Sequence, residues 1–308
     1  LFAQAAALRR AGAARTFAGM TTPYPLALAG ALLLASVAQA QTKLTIPQPS
    51  PAVQLREAFS TSFVELNYSR PSLRGRTAFG GLVPYGQVWR LGANRITKIR
   101  FGEEVKLAGQ TVPAGTYALL AIPGKADWTF ILNRDTAQWG AYAYQPSLDV
   151  ARLPAKATRL AAPQETMLLS LENVRPAAAD LTLTWERTQV ALPLTANPNP
   201  LVLAQIQEAM KGEKKPYFTA AQYYYNSNQP DLTPALGWLD EFIKANPNEG
   251  YEGYYWKAKL LQKQGKKSEA AAAVKQSLEL IKADKNEVAK AEYTRLNQQL
   301  LAEVGSRK

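Results

Sequence analysis

The chain contains no cysteine and no histidine. Those two absences remove disulfides, thiolate nucleophiles, zinc sites built on thiolate or imidazole, histidine-ligated haem and the Ser-His-Asp triad. Any chemistry is left to carboxylates, hydroxyls, amines and guanidinium groups. Methionine is scarce at 3 residues, and acids are outnumbered, 24 against 36 Lys and Arg, a formal charge of +12. Long apolar runs are also scarce. The longest, Leu26–Ala35, is too short to cross a bilayer comfortably, and nothing later in the sequence is longer. Neither Gly-x-Gly-x-x-Gly, a Walker loop, an EF-hand nor Ser-x-x-Lys occurs, so no cofactor and no metal is expected.

What is present is a chain of 308 residues, 47% hydrophobic, which is enough for one large or two medium cores. The run Leu26–Ala35 is followed by Ala38-Gln39-Ala40, the small-x-small pattern read by signal peptidase. Residues 1–40 are therefore expected to be an upstream segment and signal peptide, with cleavage after Ala40. A periplasmic or secreted protein without a transmembrane segment in its mature form follows. Without Arg9, Arg10 and Arg15 the charge becomes 33 minus 24, or +9, an excess that suits anionic partners and also keeps a protein soluble. Given export, nucleic acid is not the expected partner.

Two periodicities divide the remainder. From Ser62 to Thr195 the pattern is two: Phe63–Tyr68, Ile96–Phe101, Glu104–Leu107, Thr116–Ile122, Trp128–Asn133, Met167–Asn173, Leu181–Trp185 and Gln189–Leu194 read as strands. Turn signals separate them at Ala108-Gly109, Pro113-Ala114-Gly115, Pro123-Gly124 and Arg175-Pro176. No helix long enough for a parallel crossover intervenes, so an antiparallel β-sandwich of about eight strands is expected over 41–197. After Ala196–Pro200 the period is that of helices. Thr233-Pro234 reads as a cap followed by proline, Asn246-Pro247 as a stop, Gly265 as a turn, Ser268 as a cap, and Asn286 as the start of a last helix. Trp256, Leu260, Gly265, Ala270 or Ala271, and Leu278 follow the order of a degenerate tetratricopeptide unit, so 198–308 is expected to be an all-α, helical-hairpin domain.

The cations divide in the same place, with twelve Arg and five Lys in 41–197 and fourteen Lys and two Arg in 198–308. Arginine is the residue of planar, multi-donor hydrogen bonding, which draws attention to the first group. Ser69–Asn94, SRPSLRGRTAFGGLVPYGQVWRLGAN, carries no acid. Arg70, Arg74, Arg76, Arg90 and the following Arg95, beside Tyr85, Trp89 and Asn94, form a candidate site for carboxylate, phosphate or sulfate with an aromatic face for a sugar. Trp139 and Tyr142, with Tyr144, form a second aromatic group suited to a glycan. The opposing expectation is that the guanidinium forks bind backbone carbonyls of their own loop, which must be satisfied when buried.

Together with AGTYALLAIPG, WTFILN, WGAYAY and LTLTWERTQVALPL, that stretch resembles a bacterial family known as domain of unknown function 2911, over about Leu44–Leu194. The resemblance implies an exported β-rich domain and no reaction, hence no catalytic residues. A non-catalytic binding module of the cell envelope for an anionic or glycan ligand is the leading functional expectation. A scaffold that takes a protein partner through the helical tail is the first alternative. A carboxylate-based hydrolase is the second, with Asp149 and Glu186 as the pair to examine, since two carboxylates must converge on one bond.

Overall fold

The computed structural model describes residues 46–247 and 250–305, and the expected signal sequence and its cleavage position lie outside them. From Pro47 on, the chain forms one compact unit. Among the described residues there are nine strands: β1 Ala52–Phe59, β2 Ser62–Ser69, β3 Lys98–Phe101, β4 Val105–Leu107, β5 Gln110–Val112, β6 Gly115–Ile122, β7 Asp127–Asn133, β8 Asp149–Arg175 and β9 Ala178–Thr195. They make an open antiparallel sheet in the order β1-β2-β3-β6-β7-β8-β9-β4-β5.

The sheet becomes two facing layers because β8, 27 residues long, serves both. Its first part, Asp149–Lys156, pairs with β7, and from Ala157 onward it pairs with β9. Early in the second part the register with β9 breaks at Arg159/Gln164 and again at Gln164/Leu168. The segment there holds Pro163, which has no N–H to give a ladder and is tolerated at such an irregularity. Opposite Gln164, Glu186 adopts φ 54°, a left-handed backbone rare for a residue with a β-carbon. What reads in sequence as two strands, Leu181–Trp185 and Gln189–Leu194, is thus one strand bent at Glu186.

Between the layers lies one core of alternating inward residues, including Leu66, Ile99, Leu119, Phe130, Leu169, Leu183 and Leu192. Tyr68 of β2 crosses it: its hydroxyl donates to the Leu169 carbonyl and accepts from the Leu169 amide, both at 3.1 Å. The reverse face of β6 is also covered. Ala118 and Leu120 pack with Ile131, Ile96, Val88, Ala141 and Tyr144, the last four from the loops before β3 and after β7. Burial on both faces explains why TYALLAI reads as a nearly continuous apolar run rather than a clean alternation.

Six helices follow: α1 Asn199–Ala209, α2 Tyr217–Asn226, α3 Thr233–Ala245, α4 Gly250–Lys263, α5 Lys267–Ile281 and α6 Glu287–Gly305. Gly253 of α4 lets α3 approach closely, since a β-carbon there would lie 2.5 Å from Ile243 Cγ1. Asn286, expected as the start of the last helix, caps α6, its Oδ1 accepting from the amides of Val288 and Ala289. Two other caps differ from expectation. Thr233 is the first helical residue of α3, and its amide donates to Asp231 Oδ1 at 2.9 Å. Ser268 lies inside α5, which starts at Lys267 without a side-chain cap.

Candidate functional site

The residues singled out from Ser69 onward do not converge on one site. They are distributed over four environments, and the reason is the path of the loop between β2 and β3. On leaving β2, the loop first crosses to the opposite layer. Arg70 Nε donates to the Met167 carbonyl at 2.9 Å. The Arg74 amide donates to Glu165 Oε1 at 2.8 Å while its guanidinium donates to the Pro49 carbonyl at 3.0 Å. Arg76 turns back on the carbonyls of Leu73 and Ser72 at 2.9 and 3.0 Å. These three arginines fasten the loop to its surroundings, each through backbone oxygen.

Next, the chain inserts Phe79 into the open end of the sandwich. Its ring meets Trp128, Trp185 and Trp89 edge-on at centroid distances of 4.8, 5.7 and 5.9 Å. Trp89 exchanges backbone hydrogen bonds with Ala121 of β6 at 2.7 and 2.9 Å, so its side chain shares the inward face of that residue. Only 9% exposed, it stacks on Trp185 and donates from Nε1 to the Gly92 carbonyl. Trp89 is therefore a core residue and not part of an accessible aromatic face. Tyr85 is separated from the others as well, on a different cavity at the bend of β8 and β9.

Arg90, Asn94, Arg95, Trp139 and Tyr142 are brought together. Arg90, one residue beyond Trp89, points outward; its guanidinium donates to the Asn94 carbonyl at 2.6 Å and to the Tyr142 hydroxyl at 3.1 Å. Gly140 beside it has φ 75°, a left-handed backbone that favours glycine. The Asn94 side-chain amide donates to the Ser50 carbonyl at 3.1 Å, which ties the loop to the chain entering β1. Arg95 lies 5.8 Å above the Trp139 ring. Its guanidinium has no hydrogen bond or ion pair among the described residues, and Trp139 is 59% exposed.

Arg95 and Trp139 form one wall of an open groove of about 810 Å³ on the outer face of β1–β3. The floor is a cross-strand row in register, Gln54 opposite Asn67 and Asn67 opposite Lys98. The lining carries two cations, Arg95 and Lys98, side-chain amides and one indole, and no carboxylate. The next row on the same face, Arg56, Glu65 and Arg100, does include an acid. Glu65 is already engaged: it accepts from Asn67 at 2.9 Å and from Arg56 at 3.2 Å, and these partners hold its carboxyl below the ordinary range. Gln54, Asn67 and Lys98 were not singled out from the sequence. Outward polar positions on strands look alike until register aligns them.

Asp149 and Glu186 have separate surroundings. Asp149 accepts from Tyr144, Arg152 and Asn133 at 2.6, 2.8 and 2.9 Å, a closed network that braces the start of β8. Burial, then the neighbouring Asp149 carboxylate, pushes the Tyr144 hydroxyl up from its usual range. Glu186 Oε2 instead accepts from the Ala78 amide at 3.1 Å.

No described helix is long and apolar enough to cross a membrane. No curated protein and no solved structure is significantly similar to the chain. The segment that builds the sheet and the loop from Ser69 is similar to a known family: residues 50–194 match the family described as Protein of unknown function (DUF2911).

Proposed function

We propose that the sheet domain is a non-catalytic binding module working in the periplasm or after secretion, and that its groove holds an anionic glycan of the cell envelope. The observation that carries this reading is the pairing of an exposed indole, Trp139, with two unpaired cations, Arg95 and Lys98, over a groove lined by no carboxylate. Aromatic faces take the apolar side of a sugar ring, and guanidinium or ammonium groups take its acidic substituents. Side-chain amides of Gln54 and Asn67 supply the mixed donors and acceptors that hydroxyl groups need.

The hydrolase reading gains no support, because Asp149 and Glu186 sit in different networks. The scaffold reading is weaker for another reason: Tyr225, Tyr255 and Trp256 of the helical part are occupied by the chain's own Lys259, whose Nζ lies 4.5, 5.6 and 4.2 Å from their ring centroids.

Tryptophan-fluorescence titration with an acidic oligosaccharide, a polyuronate fragment, and with its neutral counterpart tests the proposal. The acidic chain should bind and the neutral one bind at least about tenfold more weakly, with Arg95→Ala and Trp139→Ala each weakening the former while leaving the melting temperature in place. Equal binding of both oligosaccharides, or affinity unchanged in both variants, overturns it.

A further inference from the structure

At the bend where β8 changes layers lies a second cavity, open to solvent, of about 380 Å³. Phe79, the residue that plugs the sandwich, forms its floor. The walls bring together segments far apart in sequence: Thr77 and Tyr85 from the loop after β2, Lys125 from the β6–β7 turn, Arg159 from β8, and Glu186 and Arg187 from β9. Three cations face one carboxylate here, which leaves two positive charges uncompensated (3 minus 1).

The four charged groups are not equivalent. Arg187 donates to the carbonyls of Leu160 and Ala161 and so fixes the irregular turn of β8. Glu186 is fixed by the Ala78 amide. The side chains of Lys125 and Arg159 have no hydrogen bond or ion pair among the described residues. The cavity is also built with close tolerances. At Gly80, φ is 85° and a β-carbon would lie 2.8 Å from Tyr85 Cε2; at Gly81 it would lie 2.5 Å from the Thr77 carbonyl oxygen. Both glycines thus permit the backbone path that places Thr77 and Tyr85 on the rim. Glu186, with φ 54°, keeps a sparsely populated backbone on the opposite wall.

We propose that this corner cavity binds a phosphate or sulfate group, with Lys125 and Arg159 as the charge partners and the Thr77 hydroxyl as a neutral donor. A phosphate monoester carries about two negative charges near neutral pH, which matches the uncompensated pair of cations. Glu186 acts as a positioning residue: it holds the loop through Ala78 and limits the field of the site. This site is separate from the groove, and it stands whether or not the groove binds a glycan.

Isothermal titration calorimetry on the full chain at low ionic strength, with inorganic phosphate, inorganic sulfate, a hexose phosphate and the unphosphorylated hexose, tests it. The charged probes should compete for one site and the neutral hexose should not bind. Lys125→Gln with Arg159→Gln should weaken binding at least about tenfold, and Glu186→Gln, which keeps the acceptor for Ala78 and removes a like charge, should tighten it at least about threefold. A gain in affinity cannot arise from a chain that fails to fold, so the Glu186 arm is independent of any stability loss in the double variant. Tighter binding of the hexose phosphate than of free phosphate assigns the site to a phosphorylated small molecule, and equal binding assigns it to the ion. The proposal is overturned if no charged probe binds, if binding survives the double variant, if Glu186→Gln leaves it unchanged, or if it follows Arg95→Ala and Trp139→Ala instead.

Discussion

Replacing Phe79 by alanine tests whether the acid-free loop is first of all a plug for the sandwich. Phe79 is 6% exposed and meets three indoles edge-on, at 4.8, 5.7 and 5.9 Å. Truncating a buried phenylalanine costs roughly 3–5 kcal/mol, from lost transfer energy and the cavity left behind. Edge-to-face pairs of this geometry account for about 0.5–1.5 kcal/mol each within that loss. Because Phe79 floors a cavity open to solvent, water fills part of the space, and we expect the lower end, about 3 kcal/mol. Phe79→Leu keeps most of the volume and removes the ring geometry, so it should cost about 1.5 kcal/mol. Urea unfolding followed by near-ultraviolet circular dichroism reads the loss of packing, with four of the six tryptophans (Trp89, Trp128, Trp139 and Trp185) in the sheet domain. With a slope of about 3 kcal/mol per molar, the alanine variant should shift the midpoint by about 1 M and the leucine variant by about half as much. A shift below about 0.3 M for Phe79→Ala would show that the loop is dispensable to the core, and the argument that Trp89 and Phe79 belong to packing rather than to a ligand would fail.

Two further outcomes follow from the hydrogen-bond networks. Asp149→Asn removes the charge that Arg152 pairs with and the strong acceptor of the Tyr144 hydroxyl, so thermal or urea unfolding should show a loss of about 1–3 kcal/mol, with no loss of glycan binding in the groove. In the helical part, burial first, and then the Asp284 carboxylate, raises the Tyr251 hydroxyl far above its ordinary value of 10.0, and burial with Glu252 does the same to Tyr293. Above pH 10 the unfolded chain ionises these phenols and the folded chain does not. The folded state then binds more protons, and stability falls as pH rises. Absorbance at 295 nm should therefore report these tyrosines ionising together with loss of helix; full ionisation with the helical signal intact would contradict their burial.

Much of the architecture is legible from period and turn chemistry alone. β2, β6 and β7, the Ala108-Gly109 turn between β4 and β5, the capping Asn286 and the turn glycine Gly265 all coincide with local signals, because each is decided by a few adjacent residues. β1 was not anticipated: AVQLREAF alternates, but its outward charges weaken the apolar signal of an edge strand. The first half of β8 was missed because Pro154, Pro163 and several alanines disfavour a strand, and a partner on each side of the bend compensates for that. For the site, Arg95 was legible as one of five candidate arginines and Trp139 as part of an aromatic group. Which arginines hold their own loop, and which do not, was not.

The amino-acid sequence by itself determined the chemistry available, by excluding thiol and imidazole, and it determined the succession of a strand region and a helical region, because hydrophobic period is a property of neighbouring residues. Only tertiary structure decided the use of each side chain. A guanidinium group has five donors whose partners are chosen by whichever carbonyls the fold brings within reach, so Arg70, Arg74 and Arg76 are committed to backbone oxygen while Arg95 faces solvent over Trp139. The same holds for the two cavities, whose walls join residues that register and a bent strand, not proximity along the chain, place side by side.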